Sequence, residues 1–482
     1  MTDNSQIRSL FMDAMTGKIN RREIFKRGAA IGVGATALAS LATLATNGGA
    51  LAATDGTLSA TFYNWIPDLH PSVKTVTGDF NKTFPTTTEV SPTSGFSFDR
   101  FVAEAKSQKS TWDLYVGVTP FLEMIALAET GAIEPWDPYL PAGLLDDLPA
   151  SIKAEGTYNG KFYVWPFFFD IISQGWDAGI VEKAGLDPEK APANWDEYLA
   201  NATKVQKSGA AKYGCTFDFH DWRSLIPITH SFSTDVYTAD GLFNYASDAA
   251  ANALEVMKQM KELANPDVAT EGTTDSGVNN TPDEQAWSAE QVGYYVKYVN
   301  AHVRFSSNWP DPTKLRLAPL PVATGGAGGT VFWNTGSVLF KYGKNKQQAA
   351  EYVKALGYDQ RIWKESVAGD SANGVSAVGQ LPPFKSIYAG WAASPPDFIK
   401  AAPWVNSIFG ALDRAKAIEP TPLAASQFTV ARPEWIKYLT GETATAKEAL
   451  QKAMNAVYAE WTKQTGKAPQ MGGATPEATP VS

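Results

Sequence analysis

Two rhythms of apolar and polar residues take turns from residue 57 onward, one with a period of two and one with a period of three to four. Residues 57–66 alternate and stop at Asn64 and Trp65 before Pro67, which predicts a strand running into a loop. Val73, Val76, Phe80 and Phe84 follow at helical spacing. Residues 87–90 then predict a second strand, 98–108 a second helix, 112–118 a third strand, and 121–130 a helix stopped by Gly131. Strand and helix alternate, so a parallel α/β sheet is expected. Ligands of such sheets gather at the carboxyl ends of strands, which makes Asn64, Trp65 and Thr119 candidate site residues beside Gly117 and Val118.

The pattern changes at residues 157–177. Residues 158–161 have turn chemistry, and 162–172 are almost all aromatic or β-branched, as a strand buried on both faces is. Pro166 lacks the amide a central ladder needs, so a break is expected there, suiting a chain that leaves one sheet for another. Asp170 stands at the edge of this apolar wall. Aromatic faces beside a carboxylate suit polyhydroxylated or cationic ligands; the same residues also fit a core strand whose aspartate caps a neighbouring helix.

Further along, residues 179–185 predict a short helix, 195–206 another, 213–219 a strand, and 249–263 an amphipathic helix. A long polar loop spans 266–282, helical character returns over 287–293, and 315–322 reads as a strand. The glycine run 325–329 lacks both the Walker lysine spacing and a GxGxxG pattern, so it is read as a loop and not as a phosphate cradle. The loop leads to Val331-Phe-Trp-Asn-Thr-Gly336 and then to the apolar run 337–340. Segments 345–356, 405–417 and 443–463 read as helical, and the Pro-, Gly- and Thr-rich tail 467–482 as disordered.

Composition narrows the function classes. A chain of 482 residues is too long for one compact core. Its formal charge is −9, and residues 1–52 carry six basic side chains against Asp3, Asp13 and Glu23, leaving −12 beyond them. An acidic chain without a basic stripe argues against a nucleic-acid partner. The lone Cys215 allows neither an intrachain disulfide nor a cysteine zinc site, and no cofactor or metal is expected. Arg21-Arg22 followed by the uncharged stretch 28–46 and a small-residue site at Ala50-Leu51-Ala52 reads as a twin-arginine signal peptide over residues 1–52, cleaved after Ala52. An uncleaved anchor is the other reading of that stretch. Periplasmic or extracellular placement follows.

Trp112-Asp-Leu-Tyr, Gly131-Ala-Ile-Glu-Pro-Trp-Asp-Pro-Tyr-Leu140, Tyr158-Asn-Gly-Lys-Phe-Tyr-Val-Trp-Pro166, Pro192-Ala-Asn-Trp-Asp-Glu-Tyr198 and Leu317-Ala-Pro-Leu-Pro321 occur in one series. In that order the chain resembles the family 1 extracellular solute-binding proteins of ABC importers, the group containing the maltose- and oligosaccharide-binding proteins. Gly175-Trp-Asp-Ala-Gly179 and the segment 287–294 depart from the family pattern, which bears on ligand choice. The resemblance implies two α/β lobes, 53–166 with 335–378 and 170–330 with 384–466, joined by three crossings around a ligand cleft. It adds Asp221 and Trp222, in the loop where relatives carry a stacking aromatic, and Trp333 and Asn334 at the second crossing. It also matches Asp170 to a hinge-edge carboxylate. The implied function is capture of a carbohydrate by a monomeric, non-enzymatic subunit that hands it to membrane permease subunits. A polyamine or other organic cation is the alternative ligand. An exported glycoside hydrolase, which needs two carboxylates flanking one bond, is the alternative from another class.

Overall fold

The computed structural model describes residues 21–30, 56–90, 98–266, 281–326, 328–369 and 378–470. Most of the stretch read as a signal peptide, most of the 266–282 loop and the tail from 471 lie outside the described residues; within the first, Arg21–Ala30 is helical. Among the described residues no helix is long and apolar enough to cross a membrane.

In chain order the strands are β1 (Leu58–Phe62), β2 (Thr86–Val90), β3 (Leu114–Val118), β4 (Ile133–Glu134), β5 (Thr157–Tyr158), β6 (Lys161–Phe162), β7 (Trp165–Asp177), β8 (Tyr213–Phe217), β9 (Val292–Tyr298), β10 (Leu315–Pro319), β11 (Thr330–Phe340) and β12 (Ala415–Ala417). The main sheet runs β2-β1-β3-β11-β7-β9-β8. β1 is parallel to β2 and β3, as the intervening helices Ser72–Phe80 and Phe98–Lys106 require. β8 is likewise parallel to β9.

Two long strands hold the halves together. All thirteen residues of β7 and all eleven of β11 are buried. β7 pairs with β11 through residues 165–171 and then with β9 through 172–176, so the strand leaves one half of the sheet and enters the other. β11 does the reverse, pairing with β12 at its start and with β3 toward its end. A third passage lies beside them, where Leu381 bridges Phe169. One apolar cluster holds Leu58, Trp136, Phe168 and Trp363; another holds Tyr198, Phe217, Leu254 and Trp435. Phe121, at the start of the helix Pro120–Glu129, belongs to the second cluster.

Several expectations need correction. Pro166 does not break the crossing strand: it is the second residue of β7, opposite Gly336, where the pairing slips by a bulge, a setting in which a strand tolerates proline. The helix near 287 ends at Ser288, and Gly293 lies in β9, a largely apolar run that periodicity alone does not separate from a helix. The helix Val405–Ala411 gives way to β12 instead of continuing to 417. The helix Ser426–Thr440 contains Pro433 and was not foreseen.

Candidate functional site

Antiparallel pairing sets Trp333 opposite Asp170 and Thr335 opposite Phe168. Paired residues project from the same face of a sheet and neighbours along a strand from opposite faces. Phe168, Asp170 and Trp333 therefore share one face of the two long strands, and Phe169 and Asn334 share the other. Trp65 lies 5.7 Å from Phe168 between ring centroids, with Tyr63 a further 5.8 Å away. At the other end Trp333 meets Trp222 edge-on at 4.8 Å and Tyr298 at 5.7 Å, and Trp222 meets Phe121 at 5.7 Å. An aromatic wall thus crosses from one half of the sheet to the other, with Trp65, Trp222 and Tyr298 partly exposed along it.

Local structure explains the placement of these rings. Tyr63 to Trp65 leave the end of β1, and a Cβ at Gly117 would come within 2.4 Å of the Tyr63 Cβ. Gly117, at φ +141°, therefore leaves room for Tyr63 beside the end of β3. Trp222 rides on a π-helical turn, Asp221–Leu225, directly after the loop that leaves β8.

Beneath Trp222 lies a buried ionic network. Lys297 donates to Asp218 at 2.8 Å and to Asp283 at 2.6 Å. Arg223 pairs with Asp218 at 2.9 Å, its guanidinium 4.9 Å over the Trp222 ring. Burial opposes ionisation of Asp218, but the Arg223 and Lys297 cations outweigh it and hold its pKa far below the usual range. Burial opposes the Lys297 charge too, and the surrounding carboxylates of Asp218, Asp283 and Glu284 push its pKa up regardless. Burial also raises Glu284.

Asp221 turns away from the wall. One carboxylate oxygen accepts from the Tyr245 hydroxyl at 2.6 Å and the Trp435 indole at 2.8 Å, and the other from Arg432 at 2.8 Å. Asp170 faces the wall side but is 3% exposed, and its Oδ1 accepts the Ile171 amide at 2.9 Å and the Asn300 amide at 3.3 Å, at the start of the helix Val299–Ser306. Burial pushes its pKa well above the carboxylate range, against those amide bonds. Asn334, on the opposite face from Trp333, donates its backbone amide to Glu155 at 3.0 Å and its side-chain amide to the same oxygen.

Of the residues singled out from the sequence, Trp65, Asp170, Trp222 and Trp333 thus come together along the wall. Asn64 and Thr119 stand half-buried at the ends of β1 and β3. Thr119 occupies a helix N-cap without using its side chain there, while Glu123 accepts its amide at 2.8 Å. Asp221 and Asn334 do not join the wall. Phe168, Tyr298 and Phe121 do, and were not singled out; for Phe168 the signal was its two-residue spacing from Asp170 on one strand.

Residues 41–357 match the family model of the bacterial extracellular solute-binding proteins. A binding protein of Brucella abortus is 23% identical over 268 residues, 53% of this chain, and the chain spans 62% of the length of that relative. Among solved structures, the cyclic alpha-maltosyl-1,6-maltose binding protein of Arthrobacter globiformis superposes with a TM-score of 0.66 at 20% identity, over 84% of this chain and 98% of that one. The maltotriose binding protein of Thermus thermophilus gives 0.60 at 18%, over 83% and 98%. At these identities the likeness is one of fold, a two-lobed α/β architecture.

Proposed function

Since the chain belongs to the bacterial extracellular solute-binding protein family, we propose that it is the exported substrate-binding subunit of an ABC importer, capturing a carbohydrate between two hinged lobes. The lobes are 53–166 with 335–378 and 170–330 with 384–466, and the ligand is handed, unchanged, to membrane permease subunits. Residues 1–52 serve as its twin-arginine export signal.

The observation that carries the reading is the aromatic wall from Trp65 through Phe168 and Trp333 to Trp222. Sugar rings offer C–H faces that stack on such side chains, and their hydroxyls take up polar groups at the rim. Asn64 and Thr119 are the rim groups proposed at the strand ends. The two solved neighbours named for maltose-type ligands agree with this class. An organic cation would need carboxylates turned toward it. Both candidates are otherwise engaged, Asp221 by Arg432, Tyr245 and Trp435, and Asp170 by backbone amides in a setting that disfavours its charge. Asp221 and Asn334 accordingly take supporting roles.

The test is the melting temperature of residues 53–482 against a panel of mono- and oligosaccharides, polyols and polyamines. A ligand held by the folded state alone adds about 2.7 kcal/mol at a hundred times its Kd. A rise with one sugar class, lost in Trp222→Ala, is expected. A rise with polyamines alone would remove the carbohydrate reading, and a sugar that shifts the melt while being consumed would make the chain an enzyme.

A further inference from the structure

β11 has a gap on one edge. Its pairing with β12 ends at Phe332 and its pairing with β3 begins at Gly336, so among the described residues no strand lies beside Trp333, Asn334 and Thr335 there. On the other edge β7 faces them, but Phe169, opposite Asn334, exchanges its backbone bonds with Leu381. The Asn334 amide therefore points into the gap. Glu155, the last residue of the helix Ala150–Glu155, fills it: one carboxyl oxygen accepts both the backbone and the side-chain amide of Asn334.

Glu155 is 2% exposed, and among the described residues its other oxygen has no partner, nor has the side-chain oxygen of Asn334. Burying a carboxyl away from any cation is unfavourable, and packing alone would be served as well by an apolar side chain. What Glu155 supplies is an acceptor at the one stretch of the second crossing where the sheet provides none. The other two crossings have comparable polar ties. Asp170 accepts the Asn300 amide from the first, and His70, itself bonded to Ser366 at 2.7 Å, meets Gln380 of the third at 2.5 Å.

We propose that Glu155 is a positioning residue for ligand capture: from the face opposite the aromatic wall it clasps the backbone at Asn334, and so fixes where the adjoining Trp333 ring stands and how readily β11 flexes. The inference rests on the proposed function for its ligand arm, but the clasp itself is read without ligand. Hydrogen exchange over residues 330–340 and the calorimetric affinity for maltotriose are to be compared in the mature wild-type chain, Glu155→Ala and Glu155→Gln. Glu155→Ala is expected to speed exchange at the Asn334 amide about tenfold or more and to weaken maltotriose binding. Glu155→Gln keeps an acceptor oxygen and should restore both, which a purely volumetric role would not require of it over an isosteric apolar Glu155→Leu. Wild-type exchange in Glu155→Ala, or no recovery in Glu155→Gln, overturns the clasp. If Glu155→Ala does not fold, Asn334→Ala carries the test: it keeps the backbone bond and should raise exchange over residues 333–335 several-fold, and unchanged exchange there also overturns the clasp. If the wild type binds no sugar, the functional reading fails while the exchange data still judge the clasp.

Discussion

Replacing Asp221 by alanine separates a carboxylate that holds the fold from one that holds a ligand. Its two oxygens carry three bonds, from Tyr245 at 2.6 Å, Trp435 at 2.8 Å and Arg432 at 2.8 Å. Asp221 is fully buried and the Arg432 side chain is 15% exposed, so removal takes the paired carboxylate from a largely buried cation, a loss of about 3–5 kcal/mol. The Tyr245 hydroxyl and Trp435 indole, both in fully buried residues, lose their acceptor as well, at about 1–3 kcal/mol each. These losses overlap, because the three donors share one carboxylate, and a total of about 4–6 kcal/mol is expected, a large part of a typical domain's stability. Asp221→Asn keeps one acceptor and loses the charge, so about half that is expected. Equilibrium unfolding in urea, followed by circular dichroism, measures the loss as a lower midpoint at unchanged slope. If Asp221→Ala kept the wild-type midpoint but lost ligand binding, the carboxylate would be a ligand contact and the reading of the interior around Asp221 would be wrong.

Other outcomes follow from the same geometry. Trp222→Ala removes a ring that meets both Trp333 and Phe121, and should weaken sugar affinity about ten- to hundredfold by titration calorimetry. Gly117→Ala combines φ +141° with a Cβ 2.4 Å from that of Tyr63; it should lower stability by about 1–3 kcal/mol in urea unfolding and displace Tyr63 and Trp65. Burial holds the pKa of His70 down to about 4, with Gln380 resisting, whereas the unfolded chain takes up that proton near 6.5. Stability is therefore lost as pH falls from about 6.5 toward 4, by about 3 kcal/mol for this residue, and His70→Gln should flatten unfolding free energy against pH by about one proton.

How much could be read beforehand depended on whether one strand or several carried the signal. The aromatic run 162–172 announced β7 and the crossing, because eleven consecutive residues, almost all aromatic or β-branched, need no partner to be recognised. The pleat of that same strand was legible in principle and separates Asp170 from Phe169. What could not be read was which face each residue of β11 would share with β7, since a shift of one residue would exchange Trp333 for Asn334. Asp221 misled for a similar reason: Tyr245, Arg432 and Trp435 reach it from as far as 214 positions away, and no local pattern reports them. Glu155 carried no motif at all. Its role follows from a gap in pairing among β3, β11 and β12, which exists only once the sheet is assembled.

The most direct measurement is a calorimetric titration of the mature chain with the sugar that shifts its melt, repeated with Trp65→Ala and Trp222→Ala, with the sugar recovered afterwards. Saturable binding at one site per chain, a negative heat-capacity change from burial of the aromatic wall, weakened affinity in both variants and intact sugar are expected. Undiminished affinity in both variants would place the ligand elsewhere and contradict the account.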